Sequence, residues 1–107
     1  MKVPVLDVFI GRDGDAWRLY FARSSWVPAT LGVPERGSIF PVAQPDPASL
    51  NRWMRRTRSR ALKRATASGG MEIQARGRDA VALASWLQHL VDAARRAAAN
   101  REAPHGP

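Results

Sequence analysis

The feature that most constrains the fold is a pair of alternating segments in the first quarter of the chain. Residues 3–10 and 17–23 each place apolar side chains at every second position, the period of a β-strand with one buried face. Asp13-Gly14 lies between them and suits a tight turn that needs positive φ. The apolar positions are Leu6, Val8 and Ile10, followed by Trp17, Leu19 and Phe21. We therefore predict a β-hairpin whose apolar face must be covered by a second layer.

Two further segments have strand character. Residues 71–76 alternate between apolar and polar side chains, which predicts another strand. Residues 37–42 are compatible with a short strand, but Pro41 restricts it to an edge of the sheet. The rest of residues 24–46 gives no clear prediction, because prolines and glycines interrupt it.

Two helices are predicted in the second half of the chain. Asp46 suits an N-cap and Pro47 suits a first helical position, while Gly69-Gly70 is typical of a helix end. These signals predict a helix over about residues 48–67. Residues 79–101 carry apolar side chains at helical spacing and predict a second helix, followed by a disordered tail at residues 103–107.

Together these elements predict an α+β fold. With 107 residues and no cysteine, the chain can build one core but has no disulfides to hold two smaller ones. We expect a single domain over residues 1–102, in which two helices pack on one face of an antiparallel or mixed sheet of three to four strands. The expected order of this two-layer sandwich is β-β-(β)-α-β-α.

The positive charge of the chain is concentrated in one short segment. The formal net charge is +8, and residues 52–64 carry seven basic side chains and no acidic one. A GC-rich genome would raise the arginine content everywhere, but it would not place the charges together. On the predicted helix five of these residues form a stripe opposite the apolar side, and Arg58 and Arg64 lie on its flanks. The seven residues are Arg52, Arg55, Arg56, Arg58, Arg60, Lys63 and Arg64.

This basic helix predicts a small nucleic-acid-binding protein. Arg52, Arg56 and Arg60 are four residues apart and would form a row about 12 Å long against a phosphate backbone. Like charges at this spacing destabilise a helix, and no acidic neighbour offsets them, so an external anion is expected. All seven basic residues are candidate contacts with nucleic acid or another anionic partner. Accessory contacts are expected from Arg18, Arg23, Trp26 and Asn51.

An alternative partner remains open. The basic helix also suits an acidic or nucleic-acid-binding surface of another protein, as in an interaction module or inhibitor of the kind that phages and mobile elements encode. The sequence does not separate DNA, RNA and protein partners. A homodimer that forms through the sheet edges or the second helix is a further alternative.

Enzymatic chemistry is not expected. Of the two histidines, His89 lies on the polar side of the second helix and His105 lies in the tail. The chain contains no nucleophile motif and no metal-ligand spacing. We therefore expect no catalytic residue, no metal site and no cofactor.

The sequence favours a cytoplasmic protein. No apolar run reaches the length of about 20 residues that spans a bilayer. Residues 1–10 are interrupted by Pro4 and Asp7, which is unlike a signal peptide. We accordingly expect no membrane partner.

Overall fold

The computed structural model describes residues 3–25, 36–66 and 69–102, and these form an α+β fold as predicted. Five strands and two helices are present within those ranges. In chain order they are β1 (Val5–Asp13), β2 (Ala16–Ser25), β3 (Gly37–Val42), α1 (Pro47–Thr57), β4 (Leu62–Ala65), β5 (Met71–Arg76) and α2 (Arg78–Glu102).

The five strands form one antiparallel sheet in the order β3-β2-β1-β5-β4, with β1 at its centre. The predicted first hairpin and the predicted strand over residues 71–76 are confirmed, and residues 37–42 form the edge strand β3. The sheet has more than the three to four strands predicted, because β4 arises from residues that the sequence pattern assigned to a helix.

The turn of the first hairpin lies one residue later than its sequence signal suggests. Asp13 pairs with Ala16, so the loop residues are Gly14 and Asp15. Gly14 has φ 65° and occupies the first loop position, which is where a type II′ turn places glycine. This loop sets the register from the turn to the pair Val8 and Phe21, and an irregularity between Asp7 and Val8 shifts it by one residue over the rest of the hairpin.

One face of the sheet, here called the core face, carries the apolar residues of the first hairpin. Leu6, Leu19 and Ile73 lie on this face and have no exposed surface. Leu83 and Leu87 of α2 join the same buried cluster. Each such side chain contributes about 1.5–3 kcal/mol by burial, so this layer contact supplies much of the stability.

The helix α1 packs beside α2 and joins the same core. Leu50 is fully buried, and the ring of Trp53 stacks on Trp86 of α2 with centroids 6.3 Å apart and planes at 28°. The predicted N-cap is confirmed, since the Asp46 carboxylate accepts a hydrogen bond of 3.0 Å from the Ala48 N–H. Both described helices therefore contribute to one layer, and the opposite face of the sheet, here called the open face, is left uncovered by either.

The predicted helix over residues 48–67 is wrong in its second half. The helix ends at Thr57, and Arg58 takes the left-handed conformation with φ 53°. The Arg58 N–H donates to the Arg55 carbonyl at 3.3 Å, and the Ser59 N–H donates to the Met54 carbonyl at 2.9 Å. This pair of bonds is a Schellman motif, which satisfies the last carbonyls of a helix. Repulsion among unpartnered arginines weakens any continuation of the helix.

The glycine pair expected to end that helix belongs instead to the turn between β4 and β5. Gly69 has φ 85°. The Thr66 N–H donates to the Gly70 carbonyl, and the Gly70 N–H donates to Thr66 Oγ1, both at 3.0 Å. Glycines serve helix ends and hairpin turns equally well, and pairing of β4 with β5 decides between them.

The second predicted helix is confirmed with slightly wider bounds. It begins at Arg78 and extends to Glu102, with Asp79 in the first turn, where a carboxylate suits the helix dipole. None of the helices in the described ranges is long and apolar enough to cross a membrane. The predicted tail, residues 103–107, lies outside the described residues.

Candidate polyanion-binding surface

Three of the seven predicted cationic residues lie on the solvent side of α1. Arg52, Arg55 and Arg56 are exposed, whereas Trp53 on the other side is buried. Arg52 Nη2 lies 3.9 Å from Asp46 Oδ2, but both side chains are more than 60% exposed. Such a contact contributes little in water, so α1 presents all three guanidinium groups to solvent.

A groove of about 520 Å³ runs beside these arginines. It lies where α1 meets α2 and includes the stacked tryptophans Trp53 and Trp86. The groove is lined by Ser49, Arg52, Trp53, Arg55, Arg56 and Trp86. The arginines therefore flank a concave, partly apolar strip rather than a flat surface.

Arg58 and Arg60 lie in the connection between α1 and β4 and are both exposed. The backbone N–H of Arg60 donates to Asp79 Oδ2 at 3.2 Å, and Arg78 Nη2 reaches the carbonyl of Thr57 at 3.5 Å. These bonds attach the backbone of the connection to the start of α2. Its two guanidinium groups remain in solvent.

Lys63 and Arg64 are neighbours on β4 and therefore lie on opposite faces of the sheet. Lys63 pairs with Ile73 on the core face, and its Nζ donates to Asn51 Oδ1 of α1. Arg64 pairs with Glu72 on the open face, with Nη2 and Oε2 2.5 Å apart. Both cations thus have a partner within the protein.

The predicted row of Arg52, Arg56 and Arg60 along one helix is not formed. Arg52 and Arg56 keep their separation of about 6 Å along the axis, but Arg60 lies beyond the helix end. Five of the seven cations lie on α1 and the connection after it, whereas Lys63 and Arg64 lie on β4 and contact Asn51 and Glu72. We call the group of five the basic surface, and its members are Arg52, Arg55, Arg56, Arg58 and Arg60.

Of the four predicted accessory residues, the three within the described ranges do not join this surface. Arg18 and Arg23 lie on β2, on the open face of the sheet. Asn51 lies on α1, but its side chain accepts the hydrogen bond from Lys63. Trp26 lies outside the described residues.

Two residues that sequence reasoning did not single out are the aromatic pair Phe9 and Tyr20. They are direct partners across β1 and β2 and lie on the open face. Phe9 is 38% exposed and Tyr20 is 37% exposed. The signal was present, because both residues occupy the positions of the hairpin that alternate with the buried ones.

A second cleft, of about 670 Å³, lies at the end of the open face near the start of β4. Arg60 of the basic surface lines this cleft together with Arg23 and Arg76 of the sheet. The full lining is Val5, Asp7, Arg23, Arg60, Leu62, Gln74, Ala75, Arg76 and Asp79. This cleft connects the basic surface with the open face.

Within the described ranges, no group of three or more histidine, aspartate or glutamate side chains is placed to hold a metal ion. The chemistry that the described surface offers is electrostatic and aromatic. Comparison of the chain with protein-family models, curated proteins and solved structures found no match.

Proposed function

We propose that this protein binds nucleic acid through its phosphate backbone, using the basic surface on α1 and the connection that follows. One observation carries the proposal. Arg55, Arg56, Arg58 and Arg60 are exposed and form no ion pair with any carboxylate of the described residues. A cluster of four unpaired cations in so short a segment is suited to an external polyanion.

The energetics favour a polymeric anion over simple salts. Placing guanidinium groups side by side raises the free energy of the folded chain through mutual repulsion. A bound phosphate backbone removes this repulsion and releases condensed counterions, which makes binding favourable and dependent on salt. The contrast with Lys63 and Arg64 supports this assignment, because those two cations already have partners in the protein.

The test measures binding of duplex and single-stranded oligonucleotides by fluorescence anisotropy at about 50 and 200 mM salt. The double substitution Arg55→Ala and Arg56→Ala should weaken binding and reduce the slope of log K against log salt by about 2, one per lost phosphate contact. Its melting temperature should not fall, because both side chains are exposed and alanine favours helix.

The matched control is the double substitution Arg95→Ala and Arg96→Ala, an adjacent exposed pair on α2. It removes the same charge from a different place and should leave the salt slope almost unchanged. Equal losses in both double variants would mean that net charge alone attracts the ligand. If neither nucleic acid binds at the lower salt and a single protein partner co-purifies instead, the interaction-module alternative replaces the proposal.

A further inference from the structure

The open face of the sheet carries an aromatic pair at its centre. Phe9 on β1 and Tyr20 on β2 are direct cross-strand partners, so their Cβ atoms lie about 5 Å apart. Neither ring is covered by α1 or α2, since both helices join the core on the other face. Each of the two residues has more than a third of its surface exposed to solvent.

Exposed apolar surface on the described residues is concentrated on this face. Four large apolar side chains are exposed among them, namely Val3, Phe9, Tyr20 and Leu62. Leu62 pairs with Gln74, which in turn pairs with Asp7, so Leu62 shares the open face with the aromatic pair. Three of the four therefore lie on one side of one sheet, a pattern typical of a binding surface.

Arginines lie on the open face toward both ends of the aromatic pair, and Glu72, the β5 partner of Phe9, shares that face in an ion pair with Arg64. Arg18 lies two residues before Tyr20, Arg23 pairs with Asp7, and Arg76 pairs with Val5, so all three share the open face. None of the three forms an ion pair with a carboxylate of the described residues. The Nε–H of Arg18 is buried and has no hydrogen-bond acceptor among those residues, which leaves a charged donor unused.

We propose that the open face is a stacking platform for single-stranded nucleic acid, with bases on Phe9 and Tyr20 and phosphates on Arg18, Arg23 and Arg76. This inference rests on the proposed function and names its ligand class. Exposed aromatic rings flanked by arginines are the chemistry that binds unpaired bases, because every base offers a π-face to a ring and a phosphate to a cation. In a duplex the base faces stack on each other, so a duplex cannot use these rings.

The two surfaces are continuous. Arg60 belongs to the basic surface and also lines the 670 Å³ cleft. The three arginines of the cleft, Arg23, Arg60 and Arg76, outnumber its two carboxylates, of which Asp79 accepts a hydrogen bond from the Arg60 N–H. The volume of the cleft lies within the range of about 300–1,000 Å³ that is usual for ligand pockets. A single strand that leaves the aromatic pair can therefore follow the cleft around the β4 edge to Arg60 and on to α1.

The first test compares aromatic with aliphatic side chains at the platform. The substitutions Phe9→Leu and Tyr20→Leu should each weaken binding of oligothymidylate or oligouridylate of about a dozen nucleotides by roughly 5- to 150-fold. The matched controls Phe9→Tyr and Tyr20→Phe keep a ring and should bind as the parent does. Melting temperatures distinguish lost stacking from lost folding, and the comparison of the two probes shows whether DNA or RNA is preferred.

The second test detects stacking directly. Tyr20 is the only tyrosine in the sequence, so tyrosine-selective labelling gives one set of ring signals in an NMR spectrum. Addition of either oligonucleotide should move the ring protons upfield through the ring current of a stacked base. Addition of a duplex of equal length should leave them in place.

The outcomes separate this inference from the proposed function. If duplex and single strand bind equally, and the leucine variants and the Tyr20 signals do not change, the platform is absent and the basic surface alone binds. If the leucine variants lose single-strand binding while Arg55→Ala with Arg56→Ala does not, the platform stands and the proposed role of α1 fails. If no oligonucleotide binds at about 50 mM salt, both are wrong.

Discussion

Two hairpins of the same sheet are held in place by different interactions. β1 and β2 have 9 and 10 residues and contribute buried side chains at alternating positions. β4 has four residues, all exposed, and depends on its partner β5 for contact with the core. Its other attachments are polar: the Thr66 to Gly70 turn, the bond from Lys63 to Asn51, and the ion pair of Arg64 with Glu72.

The difference shows where this chain can carry charge. One face of the first hairpin is buried over most of its length, so its charged side chains lie on the open face or, like Arg12, next to the turn, where the core face is exposed. No side chain of β4, and few of the connection before it, is needed for the core, so most of those positions can be basic without a desolvation cost. Arg58 and Arg60 therefore lie on the connection before β4, whereas Arg52, Arg55 and Arg56 lie on the exposed side of α1, whose other side is in the core.

The largest expected difference between the two hairpins comes from substituting one leucine in each of them. Leu19 has no exposed surface, so Leu19→Ala should lower the free energy of unfolding by about 2–5 kcal/mol, from lost burial and the cavity it leaves. Leu62 is 68% exposed, and Leu62→Ala should change the free energy of unfolding by no more than about 0.5 kcal/mol. Chemical denaturation of both variants makes the comparison, and similar losses would show that β4 is part of the core after all.

The contact between the two hairpins can be broken at Gly70. A methyl group at this position would overlap the backbone carbonyl oxygen of Ile10, which cannot move without disturbing β1. We expect Gly70→Ala to destabilise the protein by about 1–3 kcal/mol. Gly11→Ala is the matched control, because a methyl group there meets no atom within 4 Å. Thermal unfolding of the two variants should differ by several degrees, and equal midpoints would contradict the described packing.

The smallest expected effect is a gain in stability at the end of α1. Arg58 holds a left-handed conformation that glycine adopts without steric cost, so Arg58→Gly should raise the free energy of unfolding by about 1 kcal/mol. Arg58→Ala removes the same charge but keeps a Cβ atom, and it should bring no such gain. If both variants were equally stabilised, charge repulsion rather than backbone strain would be the cause.

The sequence predicts the first hairpin well because its signals are local and agree. Alternation, β-branched residues and the glycine turn all favour the same structure over residues 3–25. The fold class follows from these elements and from the long apolar periodicity of α2. Residues 58–65 carry no such agreement, because Ala61 and Ala65 fit a helix. The strand forms there through pairing with β5, whose residues lie 6 to 12 positions further along the chain.

The candidate site was predictable in part. Counting charges is sufficient to identify the basic residues, and five of the seven lie on α1 or in the connection that follows it. Their arrangement depends on Arg58, a residue other than glycine in the left-handed region, which no sequence rule would select. The aromatic pair depends on a loop at Gly14 and Asp15; a loop one residue earlier would have paired Phe9 with Arg18 instead of Tyr20.

The position of β4 at the margin of the sheet has a consequence for assembly. No strand of the described residues pairs with its outer side, so the backbone groups there are open to a strand of another copy. Two copies joined through this edge would bring Lys63 and Arg64 of one close to those of the other, since paired strands lie about 5 Å apart. The repulsion opposes such pairing. The two side chains that attach β4 to Asn51 and Glu72 therefore also act against edge-to-edge association of copies.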